Sequence, residues 1–228
     1  MAKRGKKYKA VVLKLDKTKA YSLSEAIEFL KRNSYANFDE TLECAVKIEY
    51  KAPQNVRGVV HFPHSTGKPV RVLVFAEGEK QKEAVESGAD YVGGKELVDK
   101  IKNEGFLDFD VAVATPQMMR EVGKLGPILG RRGLMPSPKT GTVTEKISDV
   151  VKELKAGRLS FRADRTGVVH AGVGKLSQDT KVLEENAKAF FESVKRAKPT
   201  DAKGEFVKSF YVSSTMGPGI RINHKELR

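Results

Sequence analysis

The sequence predicts a mixed fold: a discontinuous two-layer α+β domain, rich in antiparallel strands, that carries an inserted three-layer parallel α/β domain. Three observations lead there. Alternating apolar and polar residues, with hairpin-type turns, occupy both ends of the chain. Near-continuous apolar runs alternating with helical stretches occupy the middle, and helix–strand alternation on that scale argues for a parallel sheet covered on both faces. The charge divides in the same way. Of a formal net charge of +13 over 228 residues, positions 68–158 hold 16 Lys/Arg against 14 Asp/Glu, whereas 1–67 and 159–228 together hold 26 against 15. The expected domains are therefore 1–67 with 159–228, and 68–158. Two linkers near Gly67 and Gly157 would join them, an arrangement suited to a hinge.

The first 19 residues contain eight Lys/Arg and one acid, Asp16. Residues 3–15 form either a basic helix or an arm that orders on a polyanion. Ser22-Leu23-Ser24-Glu25 is a capping-box pattern, and Leu23, Ala26, Ile27 and Leu30 lie on one helical stripe ending near Asn33. A strand follows, with Leu42, Cys44, Val46, Ile48 and Tyr50 on one face and Thr41, Glu43, Ala45, Lys47 and Glu49 on the other. Pro53-Gln54-Asn55 reads as a turn and Val56–Phe62 as the returning strand of a hairpin.

In the middle, Val70–Phe75 is a strand covered on both sides, followed by a helix around 79–87, a short strand at 89–92 and a helix around 95–103. Phe109–Ala114 is another strand and Pro116–Val122 another helix, completing a Rossmann-like arrangement. Residues 126–141, with four glycines and three prolines, are expected to be irregular, and Lys124, Arg131, Arg132 and Lys139 gather there. A helix at about 146–156 closes the unit. Leu159–Arg162 and Val168–Ala171 then frame Asp164-Arg165-Thr166-Gly167 as a hairpin, and a helix spans about 179–196. The last strand starts at Phe206. It presents Phe210, Val212, Ser214 and Met216 on a core side and Ser209, Tyr211, Ser213 and Thr215 on an uncharged hydroxyl side that runs into Gly217-Pro218-Gly219. Small hydroxyl side chains beside glycine admit the close approach of another backbone.

Composition narrows the function. The basic excess points to a polyanion, for which nucleic acid is the commonest cytosolic candidate. No apolar run approaches the roughly 18 residues of a membrane span. Neither a secretory leader nor an internal disulfide is expected, since the N-terminus lacks an apolar stretch and Cys44 is the only cysteine. A nucleotide-dependent enzyme built on the middle domain is the alternative, but its signatures are poor. Ala76-Glu77-Gly78-Glu79 offers one glycine and two carboxylates where a phosphate turn needs the reverse. Around Gly88–Lys95, Glu96 stands where a magnesium-binding hydroxyl belongs. His61, His64, His170 and His224 form no ligand spacing, so neither a metal, a cofactor nor a catalytic residue is expected.

Several segments carry a resemblance: Phe38-Asp39-Glu40-Thr41, Gln54-Asn55-Val56-Arg57-Gly58, Asp90-Tyr91-Val92-Gly93-Gly94, Gly133-Leu134-Met135-Pro136 with Pro138-Lys139, and Ser214-Thr215-Met216-Gly217. In this order, and across nearly the whole chain, they resemble the L-one family of large-subunit ribosomal proteins, bacterial type. The chain departs from the family's usual residues with Asn37, Arg131, Ser137 and Ala163, and its loop at 50–54 is short. The resemblance implies a cytoplasmic, ribosome-associated protein that binds large-subunit ribosomal RNA at the mobile stalk and assists release of exit-site tRNA. It also implies a translational repressor that binds its own mRNA leader, and a monomer off the ribosome.

Within that frame, Ser209, Ser213, Thr215, Met216 and Gly217 are expected against ribose-phosphate, with Thr41 and Glu43 extending the surface if their strand adjoins the last one. Glu43 either accepts from a 2′-hydroxyl or base amino group or pairs with Lys47 or an arginine. Phe38 either stacks on RNA or plugs the core. Arg4, Lys6, Lys7, Arg162, Arg165, His170 and Lys175 are expected at phosphates, and Lys124, Arg131, Arg132 and Lys139 at a secondary RNA contact.

Overall fold

The structure is a computed structural model that describes residues 5–16, 18–51, 55–202, 204–225 and 227. In chain order the elements are α1 (Lys6–Leu13), α2 (Leu23–Arg32), β1 (Thr41–Ile48), β2 (Arg57–His61), β3 (Val72–Phe75), α3 (Glu79–Glu86), β4 (Tyr91–Gly93), α4 (Lys95–Glu104) and β5 (Val111–Ala114). They continue with α5 (Met119–Val122), α6 (Gly126–Leu129), α7 (Ile147–Ala156), β6 (Arg158–Arg162), β7 (Val168–Lys175), α8 (Thr180–Arg196), β8 (Val207–Ser214) and β9 (Ile220–Ile222). The chain divides into two compact units, Met1–Lys68 with Leu159–Arg228, and Pro69–Arg158.

The first unit is built on an antiparallel sheet in the order β7-β1-β8-β9. Its central strand β1 alternates as its sequence requires: Leu42, Cys44, Val46 and Ile48 are buried, while Thr41, Glu43, Ala45 and Lys47 face outward. Helices α2 and α8 cover the buried face, where Ile27, Leu30, Phe190, Phe191 and Phe210 form one core with the strands. Helix α2 starts at the expected capping box: Ser22 Oγ accepts from Glu25 N at 3.3 Å and Glu25 Oε2 from Ser22 N at 3.4 Å. Of the two expectations for residues 3–15, the described part is a helix, α1.

The second unit is a parallel sheet in the order β4-β3-β5 with helices on both faces. Strand β3 is buried throughout. Its Val72 and Val74 pack with Ala84 of α3 and Ile147 and Val151 of α7, while Leu73 and Phe75 pack with Val98 and Ile101 of α4 and with Val122, Leu125 and Leu129. The fold class read from the sequence is thus the one observed, an antiparallel-rich α+β unit and a three-layer parallel α/β unit.

Four local expectations are corrected. Strand β2 does not return along β1; it pairs with β6 in a two-stranded sheet. Strand β1 already has β7 on one edge and β8 on the other, so no edge is left for a hairpin partner. Residues 53 and 54 of the expected turn lie outside the described residues. The second hairpin does not form either: each of its strands keeps a free edge but belongs to a different sheet, β6 beside β2 and β7 beside β1. The turn between them does form: Asp164 Oδ1 accepts from Val168 N at 2.8 Å and from Thr166 Oγ1 at 2.7 Å, bonds that hold its carboxyl below the ordinary value. Residues 126–141 include one turn of α-helix, α6, and a 3-10 turn at Pro138–Thr140, each entered at a proline. Finally, Met216 is not on the core side. Strand β8 ends at Ser214, so the alternation stops there and the Met216 side chain is exposed.

A single buried amide secures the entry of residues 62–65 to the first unit. Asn186 of α8 is fully buried; its Nδ2 donates to Val173 O at 2.9 Å and His64 O at 3.2 Å, and its Oδ1 accepts from His64 N at 3.2 Å. Asn186→Ala leaves buried backbone groups unpaired and is expected to lower stability by about 1–3 kcal/mol in urea unfolding. Asn186→Asp, which turns two donor contacts into repulsions, is expected to do worse.

Candidate nucleic-acid interface

Because α2 and α8 cover only one face of the four-stranded sheet, the other face is left open. The pairing arranges its residues in rows across the strands. One row runs Gly172–Glu43–Ser213, the next His170–Ala45–Tyr211–Arg221, and the next Val168–Lys47–Ser209. On this face β8 presents only uncharged side chains, β1 carries Glu43 and, one row from Ala45, Lys47, and the remaining cations lie toward the borders. Ser209 and Ser213 are half-buried, and among the described residues nothing hydrogen-bonds their hydroxyls.

At one end the face rises into the turn at 214–217, which is held from beneath. Glu40 is in phase with the inward residues of β1 and is buried. Its Oε1 accepts from Ser34 Oγ at 2.7 Å and its Oε2 from Met216 N at 3.0 Å. Burial works against the charge, but hydrogen bonds from Ser214, the Met216 backbone, Ser34 and the Ala36 backbone outweigh it and hold the carboxyl below its ordinary value. From the side, Tyr35 donates to Met216 O. Thr215 Oγ1 accepts from Thr41 N at 3.0 Å and donates to Thr41 O at 3.4 Å. Gly217 is required by close approach: a Cβ there would stand 2.4 Å from Ser214 Oγ. On top of this braced turn Met216 is 49% exposed, and Phe38, just ahead of β1, is 55% exposed. Phe38 is therefore not a core plug.

Other expected residues fall around this centre. Lys175 lies opposite Thr41, its Nζ donating to Asp39 O at 3.0 Å and Thr41 Oγ1 at 3.1 Å. His170 is exposed on β7, and Arg162 and Arg165 are exposed at the turn beyond β6, where Asp164 feels the charge of His170. Lys6 and Lys7 are exposed on α1, which borders the β9 edge through a cleft shared with Tyr211. Of Glu43's two readings the ion pair is not formed: among the described residues Glu43 has no cationic partner, and Lys47 donates to Thr166 O. Arg4 lies outside the described residues. In the second unit Lys124 pairs with Glu121 at 2.6 Å, and Arg131, Arg132 and Lys139 are exposed.

Other chemistry finds little support. Among the described residues no group of three or more His, Cys, Asp or Glu side chains is placed to hold a metal ion, and no helix is long and apolar enough to cross a membrane. Cys44 is buried, and desolvation with Glu43 alongside pushes its thiol far above the ordinary value, the opposite of a nucleophile.

The sequence profile described as the Ribosomal protein L1p/L10e family matches residues 30–218, a span that contains the braced turn, strands β7, β1 and β8 of the open face and the whole second unit. The chain belongs to this family. Similar proteins include the Large ribosomal subunit protein uL1 of Leptospira biflexa serovar Patoc, 55% identical over 225 residues that cover 99% of this chain and 97% of that protein. That of Fervidobacterium nodosum is 53% identical over 226 residues, covering 98% and 96%. Membership makes the chain a structural ribosomal protein rather than a member of an enzyme family, and places it with the ribosome in the cytoplasm.

Sequence reasoning does not place Glu40 or Tyr35 at the site. Glu40 was detectable, since period two from Leu42 puts a carboxylate on the inward face, where it needs several donors. The depressed carboxyl sets a pH dependence. Its contribution is complete above the ordinary value of 4.5 and is lost as pH falls through the lower folded-state value. Glu40→Gln is expected to destabilise the protein by about 1–3 kcal/mol at neutral pH. The gap to the unmodified protein should narrow in urea titrations run progressively below pH 4.5.

Proposed function

We propose that the open face of the first unit binds large-subunit ribosomal RNA at the mobile stalk beside the exit site. From there the chain assists release of deacylated tRNA. The observation that carries this reading is the uncharged strip of Ser209, Ser213 and Gly217, walled by Phe38 and Met216 and bordered by Lys175, His170, Arg162 and Arg165. A strip without charge suits the ribose edge of an RNA groove, where 2′-hydroxyls both donate and accept; cations at its borders suit the phosphates on either side. Glu43, in the middle, serves as an acceptor for a 2′-hydroxyl or base amino group. Thr215 spends its donor and one lone pair on Thr41, so its part is to position the turn. The similar proteins are named for the large ribosomal subunit, which supports the assignment of partner.

The same face would bind a leader on the chain's own mRNA that presents the same RNA shape, making the protein a repressor of its own synthesis. In the 68–158 domain, Lys124, Arg131, Arg132 and Lys139 would supply a weaker, mainly electrostatic contact. The free protein acts as a monomer.

A footprint on deproteinised large-subunit ribosomal RNA tests the assignment, and a single protected stalk site is the expected result. Ser213→Ala removes a hydroxyl that has no partner within the protein. It is expected to weaken binding about 5- to 150-fold with thermal stability unchanged, as for a hydrogen-bond partner left unpaired. Unaltered affinity would exclude the strip. Lys7→Ala is expected to cost little at moderate salt and to reduce the slope of log affinity against log salt by about one.

A further inference from the structure

Tyr211 lies at the centre of β8 between Ser209 and Ser213, and the interface described above gives it no task. It is 40% exposed, and among the described residues no hydrogen bond, ring contact or cation holds it. A surface tyrosine in the middle of a strand, unused by its own protein, offers a flat apolar plane to something else. Beside it opens a cleft of about 240 Å³ between the sheet and α1. Tyr8 of α1, Lys19, Tyr21 and Arg221 line its other sides. Lys19 Nζ stands 4.9 Å over the Tyr21 ring, and Tyr21 Oη accepts from Asp16 N at 3.1 Å. Lys19 Nζ also lies 3.9 Å from Glu25 Oε2, an exposed pair that an arriving phosphate can replace. Arg221 lies directly opposite Tyr211 on the same face. The one acid in the lining, Asp16, has its Oδ1 engaged by Thr18 N at 2.9 Å and Thr18 Oγ1 at 2.6 Å.

We propose that this cleft receives a single unpaired nucleobase of the bound RNA, stacked on the Tyr211 ring, with Lys19 and Arg221 meeting the adjoining phosphates. The proposal rests on the RNA-binding reading and adds to it. A regular duplex hides its bases, whereas a splayed-out base offers a π-face that an aromatic ring and nearby cations can hold. The cleft continues the open face through Tyr211, so one RNA can occupy both.

The experiment uses the full-length protein and deproteinised large-subunit ribosomal RNA. Tyr211→Leu is expected to lose about 5- to 150-fold in affinity, the range for one stacked base, while Tyr211→Phe keeps the unmodified affinity. Because a stacked base involves no counterions, the salt slope should not change in either variant. Equal affinity of Tyr211→Leu and the unmodified protein overturns the cleft but leaves the RNA reading standing; failure of the unmodified protein to bind overturns both. A second measurement needs no variant. Nitration with tetranitromethane, mapped by mass spectrometry, should be suppressed at Tyr211 by saturating RNA and unchanged at Tyr50, whose hydroxyl is bonded to Asp201. Equal nitration of Tyr211 with and without RNA overturns the proposal.

Discussion

The buried carboxylate of Glu40 is the contact on which the interface depends. A charge taken out of water is stable only when several donors replace its hydration, and here those donors come from chain segments far apart in sequence. Ser34 and the Ala36 backbone precede β1, while Ser214 ends β8 and the Met216 backbone follows it. One acid therefore ties the beginning of the central strand to the end of its neighbour. The positions of Thr215, Met216 and Gly217 follow from that tie. Gly217 belongs to the same construction: a side chain there would displace the Ser214 hydroxyl that Glu40 requires.

Charge is distributed with matching economy. An RNA groove presents hydroxyls at its centre and phosphates at its lips; the open face presents the hydroxyls of β8 beside Glu43 and Lys47 of β1, with lysine, arginine and histidine at its borders. Cations placed centrally would attract any polyanion without discrimination. In the proposed reading, the hydroxyls of β8 and the Glu43 carboxylate would favour a ribose edge, a basis for telling RNA from DNA. Glu43 strengthens the case, since a carboxylate unneutralised by the protein repels a misplaced phosphate.

Most of the fold was legible because each strand declared its face. Period two assigned the buried and open sides of β1 and β8 residue by residue as far as Ser214. What period two does not encode is a strand's partner. The segment at 57–61 follows β1 in sequence and looks like its hairpin mate, yet β1 is flanked by β7 and β8, more than 120 residues further along. The second mistaken hairpin has the same origin. Met216 was misassigned because alternation was extended past the last hydrogen-bonded pair. The hydroxyl strip needed only the alternation of β8, whereas the bracing of the turn needed Tyr35, Glu40 and Thr41 in three dimensions. Tyr211 was visible on the open side, but its isolation and the cleft next to it are properties of packing.

The flanking of β1 by late strands bears on how the chain is made. A ribosome releases β1 more than 120 residues before β7, and β8 later still, so both edges of this central strand stay bare for most of synthesis. The stretch from 69 to 158, a compact unit of its own, is synthesised before either partner emerges. Translation thus delivers the second unit first, while the first unit closes around its earliest strand only at the end. The open face, assembled from early and late segments of the chain, is consequently the last part of this unit that a nascent chain can complete.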